Sequence, residues 1–145
     1  MGIRVTEYVF LQQLAPRYQI PIPRHIYGTA GRSAIKKAID SWGGNALVKA
    51  DVLCGKRKKA GAIETIDNVN DALTEIKKKS TEPENGKQPR GAYLVEKIPS
   101  TMEMYTAITY NSSFLQPSFT ISFSGGIDVE DIPDHKKITI PVDIF

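Results

Sequence analysis

The chain has 145 residues, of which 41% are hydrophobic and 24% are charged, so it has the composition of an ordinary globular protein and not of a disordered one. Its formal net charge of +3 is mild and does not by itself indicate a nucleic-acid-binding protein. The single cysteine, Cys54, excludes an internal disulfide and is typical of a reducing compartment. No apolar stretch approaches the roughly 18 residues of a membrane span, and the N-terminus lacks the apolar core of a secretory signal, so we expect a cytoplasmic protein.

The first half of the chain alternates helical and extended patterns. Apolar residues at helical spacing predict an amphipathic helix over 5–18, with Thr6 as its N-cap and a break near Pro16. The Ile-Pro-Ile-Pro segment at 20–23 cannot continue that helix and predicts extended chain. The further predicted elements are a strand at 25–27, a helix over 32–42 that stops at Gly43-Gly44, strands over 46–52 and 62–66, and a helix over 69–79 capped by Asn68.

The second half of the chain has the pattern of strands alone. Residues 80–90 are polar and rich in turn formers, which predicts a surface loop. Runs of β-branched and aromatic residues then predict four strands, at 92–97, 104–110, 118–123 and 137–142. Because helices alternate with strands early and strands follow alone, we predict an α+β fold, or a two-lobed α/β fold, instead of one doubly wound sheet.

The most informative local pattern surrounds Lys49. A short apolar run at 46–48 leads to this lysine, and a glycine-flanked basic loop follows at 55–61. A lysine at a strand end, joined by the backbone N–H groups and the cations of such a loop, suits a run of phosphates. A solvated charge cluster on a hairpin is the alternative explanation of the same pattern.

Four paired motifs follow one another along the chain. They are Thr-Glu-Tyr at 6–8 with Tyr-Gln-Ile-Pro-Ile-Pro at 18–23, Leu-Val-Lys at 47–49 with Gly-Lys-Arg-Lys-Lys-Ala-Gly-Ala at 55–62, Leu-Val-Glu at 94–96 with Glu-Met-Tyr at 103–105, and Ser-Gly-Gly-Ile-Asp at 124–128 with Ile-Pro-Val-Asp at 140–143. In this order and near this spacing they resemble the N-terminal part of the beta-type subunit of succinyl-CoA ligase and of ATP-citrate lyase. Those enzymes use an ATP-grasp domain to make an acyl phosphate and then an acyl-CoA.

The resemblance implies a phosphate-binding group of four residues. Lys49 would contact the α- and β-phosphates of ATP, and Lys56, Arg57 and Lys58 would form the loop that closes over the triphosphate. The family often has glycine where Lys56 and Lys58 stand, which allows the backbone to approach phosphate closely. Lysine adds charge there but restricts the backbone.

The resemblance also implies four nucleoside-binding residues. The Glu96 carboxylate would lie beside the adenine amino edge, and the backbone of Lys97 and Pro99 would hydrogen-bond to adenine. Glu103 would accept the ribose hydroxyls, because one carboxylate can take two O–H donors. Ordinary exposed strand carboxylates are the alternative interpretation of Glu96 and Glu103.

As a whole, the resemblance implies a partial ATP-grasp domain over 1–145, an N-terminal portion that is incomplete at its C-terminus. The smaller lobe would span about 24–90, with 1–23 and 91–145 in the second lobe. ATP and Mg²⁺ would be the cofactors, with the metal ligands expected beyond residue 145. No catalytic or metal-binding residue is expected in this segment, which would be inactive alone.

The implied partners belong to the full enzyme: CoA, citrate or succinate, and an alpha-type subunit that binds CoA and carries the phosphorylated histidine. We expect the ATP-citrate lyase or citryl-CoA synthetase branch. The alternatives are a succinyl-CoA ligase (ADP-forming) beta subunit and a non-catalytic nucleotide-binding or interaction module. Neither nucleic acid nor membrane is expected as a partner, and no aromatic stacking platform accompanies the basic loop.

Overall fold

The structure is a computed structural model that describes residues 4–54, 63–125 and 132–143, without the side chains of residues 63 and 64. The chain divides into two compact units, Met1–Ile98 and Pro99–Phe145. Strand and helix content is mixed, and the predicted α+β class is confirmed. The assignment of 24–90, and of 1–23 with 91–145, to the two lobes of a complete ATP-grasp domain stays a prediction.

The N-terminal helical segment has three parts: α1 (Glu7–Val9), a π-helical turn (Phe10–Leu14) and α2 (Ala15–Arg17). Thr6 is the N-cap, as predicted, and its hydroxyl accepts a hydrogen bond from the Val9 N–H at 3.3 Å. Pro16 stands in the first turn of α2, where its missing N–H is tolerated. The expected break therefore takes the form of the π turn before Pro16 and of a helix end at Arg17.

The first unit contains a four-stranded antiparallel sheet of order β1-β4-β2-β3. Its strands are β1 (His25–Tyr27), β2 (Ala46–Ala50), β3 (Ile63–Ile66) and β4 (Ala92–Glu96). All four were predicted to within two residues. The strand β4 lies between β1 and β2, so both of its neighbours are distant in sequence.

Two helices cover one face of this sheet. After a 3-10 turn (Gly28–Ala30) comes α3 (Arg32–Ser41), which ends before Gly43 and Gly44 at φ +69° and +74°. The next helix is α4 (Val69–Thr81), and its N-cap Asn68 accepts from the N–H groups of Asn70 and Asp71, both at 3.0 Å. The core on this face includes Ile35, Ile39, Trp42, Ala46, Val48, Ile76, Ala92 and Leu94.

The N-terminal helical segment covers the opposite face. There Leu11, Tyr93 and Val95 are buried, and Tyr8, Phe10, Ile22, Tyr27 and Leu47 pack against them. Residues of β2 and β4 thus alternate between two cores, as the two-residue period of a strand requires. Ala46, Val48, Ala92 and Leu94 point to the helices α3 and α4, and Leu47, Tyr93 and Val95 point to the N-terminal segment.

The second unit contains a three-stranded antiparallel sheet of order β5-β6-β7. Its strands are β5 (Tyr105–Asn111), β6 (Gln116–Ser122) and β7 (Ile138–Pro141), with a 3-10 turn (Asp134–Lys136) before the last. These strands also match the predicted ones to within two residues. One face is apolar because the register pairs Ile108 with Phe119 and Phe119 with Ile140.

Candidate functional site

Lys49 stands one residue before the end of β2, where the sequence pattern placed it. Its Nζ donates to the Glu7 carboxylate at 2.6 Å, and the two side chains are 17% and 28% exposed. The alternation along β2 turns Lys49 to the face covered by the N-terminal segment, which brings Glu7 of α1 within reach. The predicted phosphate lysine is therefore held in place by a carboxylate from a helix 42 residues away.

The basic loop that follows β2 was predicted to bind the triphosphate. Lys56, Arg57 and Lys58 lie outside the described residues. The chain that leads into the loop, residues 52–54, lines an open cavity of about 430 Å³ together with Arg4, Glu7 and Lys87. The Lys87 ammonium donates to the Leu53 carbonyl at 2.8 Å. Glu7, the partner of Lys49, thus lines a cavity that two cationic side chains, Arg4 and Lys87, also line.

Glu96 ends β4 and forms a two-pronged ion pair with Arg24. The Arg24 Nε and Nη2 donate to Oε2 and Oε1 of Glu96 at 2.8 and 2.7 Å. The backbones of the same two residues are also hydrogen-bonded: the Glu96 N–H donates to the Arg24 carbonyl at 2.8 Å. The hydrogen bonds from Arg24 lower the pKa of the Glu96 carboxyl below its usual value of 4.5. The carboxylate is therefore ionised and held in one orientation. Its side chain is 24% exposed.

The Lys97 backbone is also engaged, because its N–H donates to the Asn45 carbonyl at 3.1 Å. The carbonyl oxygen is therefore the backbone group that Lys97 can offer to a base. Pro99 has no N–H, so its backbone can only accept a hydrogen bond. An adenine contact through either residue is then a contact to an acceptor.

Glu103 belongs to the second unit, where it is exposed. Its carbonyl accepts from the Gly125 N–H at 2.9 Å. A Cβ at position 125 would lie 2.6 Å from the Glu103 carbonyl carbon, so this close approach requires glycine. Gly125, the first glycine of the motif at 124–128, therefore fixes the backbone that carries Glu103.

Lys49 and Glu96 belong to neighbouring strands but point to opposite faces of the sheet. Glu96 pairs with Ala46, which faces α3 and α4, whereas Lys49 pairs with Tyr93, which faces the N-terminal segment. The two positions are three residue steps apart along β2, which is about 10 Å. The structure does not bring the two side chains into contact, and a ligand that used both would have to extend past the end of β4.

Glu7 and Arg24 are the two site residues that sequence reasoning missed. Arg24 is 72 residues from Glu96, and no spacing rule connects them. The pairing of His25 with Val95 would have shown that residue 24 stands opposite residue 96, but that register is known only from the structure. Glu7 was noticed only as part of a motif.

A buried carboxylate lies on the same face of the sheet as Lys49. Asp51 is 4% exposed, its Oδ2 accepts from the Tyr27 hydroxyl at 3.4 Å, and its Oδ1 has no hydrogen-bond partner among the described residues. Burial, and then the charge of Asp51, raise the pKa of Tyr27 and of Tyr8. No three His, Cys, Asp or Glu side chains lie together as metal ligands within 4–54, 63–125 and 132–143, so the described residues do not by themselves complete a metal site.

The family model for the ATP-grasp domain matches residues 4–142. The chain therefore belongs to the ATP-grasp family, and the fold expected from the sequence is confirmed. Within the described part of the chain, no helix is both long and apolar enough to pass through a bilayer.

Among curated proteins, the chain is similar to beta subunits of succinate–CoA ligase (ADP-forming). The subunit of Desulfurococcus amylolyticus is 27% identical over 138 residues, which are 92% of this chain and 36% of the relative. The subunit of Bacteroides thetaiotaomicron is 25% identical over 146 residues, 99% of this chain and 39% of the relative. The chain thus spans little more than a third of the length of these relatives.

Among solved structures, an ATP citrate lyase from Methanothrix soehngenii, in complex with citrate and coenzyme A, has a TM-score of 0.58 at 16% identity. The match covers 96% of this chain and 32% of that one. PH1788 from Pyrococcus horikoshii has a TM-score of 0.68 at 15% identity, over 98% of this chain and 60% of that one. At these identities the likeness supports the fold alone.

Proposed function

We propose that this chain is the nucleotide-binding part of an ATP-dependent acyl-CoA-forming enzyme, of the ATP-citrate lyase or citryl-CoA synthetase type. The observation that carries the proposal is the match to the ATP-grasp family across residues 4–142, with Lys49 near the end of β2. In the complete enzyme, ATP would phosphorylate a histidine, the phosphate would pass to citrate, and CoA would capture the acyl phosphate. We propose a cytoplasmic location for that enzyme.

The proposed role of Lys49 is electrostatic. Phosphoryl transfer depends on positioning the phosphates and neutralising their charge, and an ammonium fixed at a strand end does both. The Lys49 ammonium has three N–H donors, and its bond to Glu7 uses one of them. The remaining donors are proposed to bind phosphate oxygens together with Lys56, Arg57 and Lys58.

The proposed nucleoside contacts come from four residues. The Glu96 carboxylate and the Lys97 carbonyl would accept from adenine, and Pro99 can contribute only a carbonyl. Glu103 is proposed to accept the ribose hydroxyls. In the complete enzyme, Mg²⁺ would help to neutralise the charge of the phosphates.

Succinate activation is the second candidate function. The names of the curated relatives favour it, because the first of them are beta subunits of succinate–CoA ligase. Both candidates use the same ATP-binding part, and they differ in the acid that is phosphorylated. Thioester formation by the complete enzyme with citrate or with succinate as the only acid distinguishes them.

Isothermal titration with ATP, with and without Mg²⁺, tests the nucleotide-binding proposal on this chain and on a version extended beyond Phe145. We expect saturable binding, and we expect Lys49→Met to weaken it at least about tenfold through loss of a charge-assisted contact. Lys36→Met is the matched control, since Lys36 is an exposed lysine of α3 that pairs with Asp40 of the same helix. Circular dichroism of each variant separates lost binding from lost folding.

Two results would overturn the proposal. Absence of ATP binding by both versions of the chain would favour a non-catalytic interaction module. Unchanged affinity in a folded Lys49→Met variant would show that the ammonium does not bind the triphosphate.

A further inference from the structure

We infer that Lys87 is a further phosphate-binding residue, and that the cavity lined by Arg4, Glu7, residues 52–54 and Lys87 is an anion site. The ligand chemistry is a chain of phosphates, carried by ATP or free as inorganic polyphosphate. The inference rests on the proposed function where it joins this cavity to the site of Lys49. It does not depend on where a base or a ribose binds.

The charges around the cavity favour an anion. Arg4 and Lys87 each bring a positive charge to its lining. Among the described residues that line it, Glu7 carries the one negative charge, and this carboxylate is already paired with the Lys49 ammonium at 2.6 Å. Three cations and one carboxylate leave two positive charges uncompensated beside the cavity. Its volume of about 430 Å³ lies in the range of small-ligand sites.

One hydrogen bond holds the Lys87 ammonium at the edge of the cavity. Its Nζ donates to the Leu53 carbonyl at 2.8 Å, which uses one of the three donors of the ammonium. Two donors remain for a ligand. Residues 52–54, which line the same cavity, lead directly into the basic loop at 55–61. An anion bound by Lys87 would therefore lie beside the chain that enters this loop.

A tight turn carries Lys87 to this position. Glu84 and Lys87 exchange two backbone hydrogen bonds, at 2.9 and 3.0 Å. Between them Asn85 and Gly86 have φ of +50° and +74°, the two left-handed residues of a type I′ turn, for which Asn-Gly is a favoured sequence. The turn therefore fixes the backbone of Lys87, within a segment for which the sequence predicted only a surface loop.

The turn is anchored on both sides. Towards α4, the Glu84 carboxylate pairs with the Lys79 ammonium at 3.7 Å, and these side chains are 7% and 5% exposed. Towards β2, the Arg90 N–H donates to the Asp51 carbonyl at 2.8 Å. The backbone of Lys87 is therefore held in place without a ligand. Such preorganisation reduces the conformational entropy that binding costs.

The experiment measures Kd for ATP, for inorganic tripolyphosphate and for adenosine by isothermal titration, on this chain and on the version extended beyond Phe145. In Lys87→Met we expect Kd for ATP and for tripolyphosphate to rise about three- to tenfold, through loss of a charge-assisted contact from an exposed side chain. Kd for adenosine, which carries no phosphate, should stay the same. The effect should shrink as NaCl rises from about 0.05 M to about 0.5 M, because salt screens exposed charges.

Three further variants separate the charge of Lys87 from its bond to Leu53. Lys87→Gln keeps a group that can donate to a carbonyl but has no charge, and it should weaken the phosphate ligands as Lys87→Met does. Lys87→Arg keeps the charge and should retain most of the affinity. Lys77→Met removes an exposed cation of α4 that does not line the cavity, and it should change no Kd. Circular dichroism shows whether each variant is folded.

The outcomes separate this inference from the proposal on which it rests. If ATP binds but folded Lys87→Met and Lys87→Gln keep the wild-type affinity, only the role of Lys87 is refuted. If tripolyphosphate binds through Lys87 and ATP does not bind, the anion site stands and the proposed function is overturned. If neither ligand binds, both ideas are overturned. Equal weakening of adenosine and ATP would also refute the role of Lys87, because the change would then not act on the phosphates.

Discussion

Replacing Glu7 with glutamine tests whether the ion pair with Lys49 holds the N-terminal segment to the sheet. The change keeps the shape of the side chain and removes its charge, so the ammonium of Lys49 loses a counter-ion at 2.6 Å. We expect a lower free energy of unfolding. We also expect tighter ATP binding, because the ammonium no longer shares its field with a protein carboxylate.

The size of the stability change follows from the burial of the pair. Exposed ion pairs contribute about 0.2–1 kcal/mol, and removal of one partner from a buried pair costs about 3–5 kcal/mol. The side chains of Lys49 and Glu7 are 17% and 28% exposed, which places them between these limits. We therefore expect a loss of about 1–2 kcal/mol, which corresponds to a fall in Tm of about 3–7 °C for a chain of this length.

Thermal unfolding followed by circular dichroism gives the measurement, in a double-mutant cycle with Lys49→Met. The two single variants should lose similar stability, and the cycle should give a coupling energy of about 1 kcal/mol. A coupling below about 0.3 kcal/mol would refute the reasoning, because the two groups would then not stabilise each other. Weaker ATP binding in Glu7→Gln would mean that Glu7 positions Lys49 for phosphate more than it competes for it.

Three other substitutions test the stability that an ion pair, a helix cap and a buried glycine contribute. Arg24 lowers the pKa of Glu96 below 4.5, so the stability that their ion pair contributes is fully present above about pH 4.5 and is lost as the pH falls through the folded-state pKa. The Tm difference between wild type and Glu96→Gln should therefore shrink in acid. Asn68→Ala removes the N-cap of α4 and should lower the free energy of unfolding by about 1 kcal/mol, whereas Asn68→Asp should retain most of it. Gly28→Ala would place a Cβ 2.5 Å from Ile76 Cγ2 and should cost about 1–3 kcal/mol in urea denaturation.

A Tm difference that stays constant from pH 7 to pH 3 would mean that the ion pair does not contribute to folding. Equal stability of wild type and Asn68→Ala would show that water replaces the cap at no cost. A Gly28→Ala variant as stable as wild type would show that α4 moves away freely from the 3-10 turn.

Local chemistry was enough to predict the elements. Thr6 and Asn68 act as N-caps because their side chains satisfy N–H groups two or three residues on, and this geometry depends only on neighbours in the chain. The glycines at 43 and 44 end α3 because they accept positive φ. The apolar run before Lys49 places this lysine near a strand end for the same local reason. The resemblance in four motifs then led to the ATP-grasp family, which the match over residues 4–142 confirms.

Pairing between distant segments could not be predicted in this way. The register of β1 against β4 sets Arg24 opposite Glu96, and the packing of α1 on β2 brings Glu7 to Lys49. These contacts span 72 and 42 residues, and nothing in the intervening sequence specifies them. They decide which groups are held, oriented or neutralised, and so they decide what the predicted residues can do.

The sequence alone determined the class of fold, the strand that carries Lys49 and the residues that resemble a nucleotide site, because these depend on periodicity, caps and motif order. Only the tertiary structure decided that Lys49 and Glu96 point to opposite faces and that each is held by a partner of opposite charge. The physical reason is that a strand alternates its side chains between two faces, and its neighbours across the sheet determine what each side chain meets.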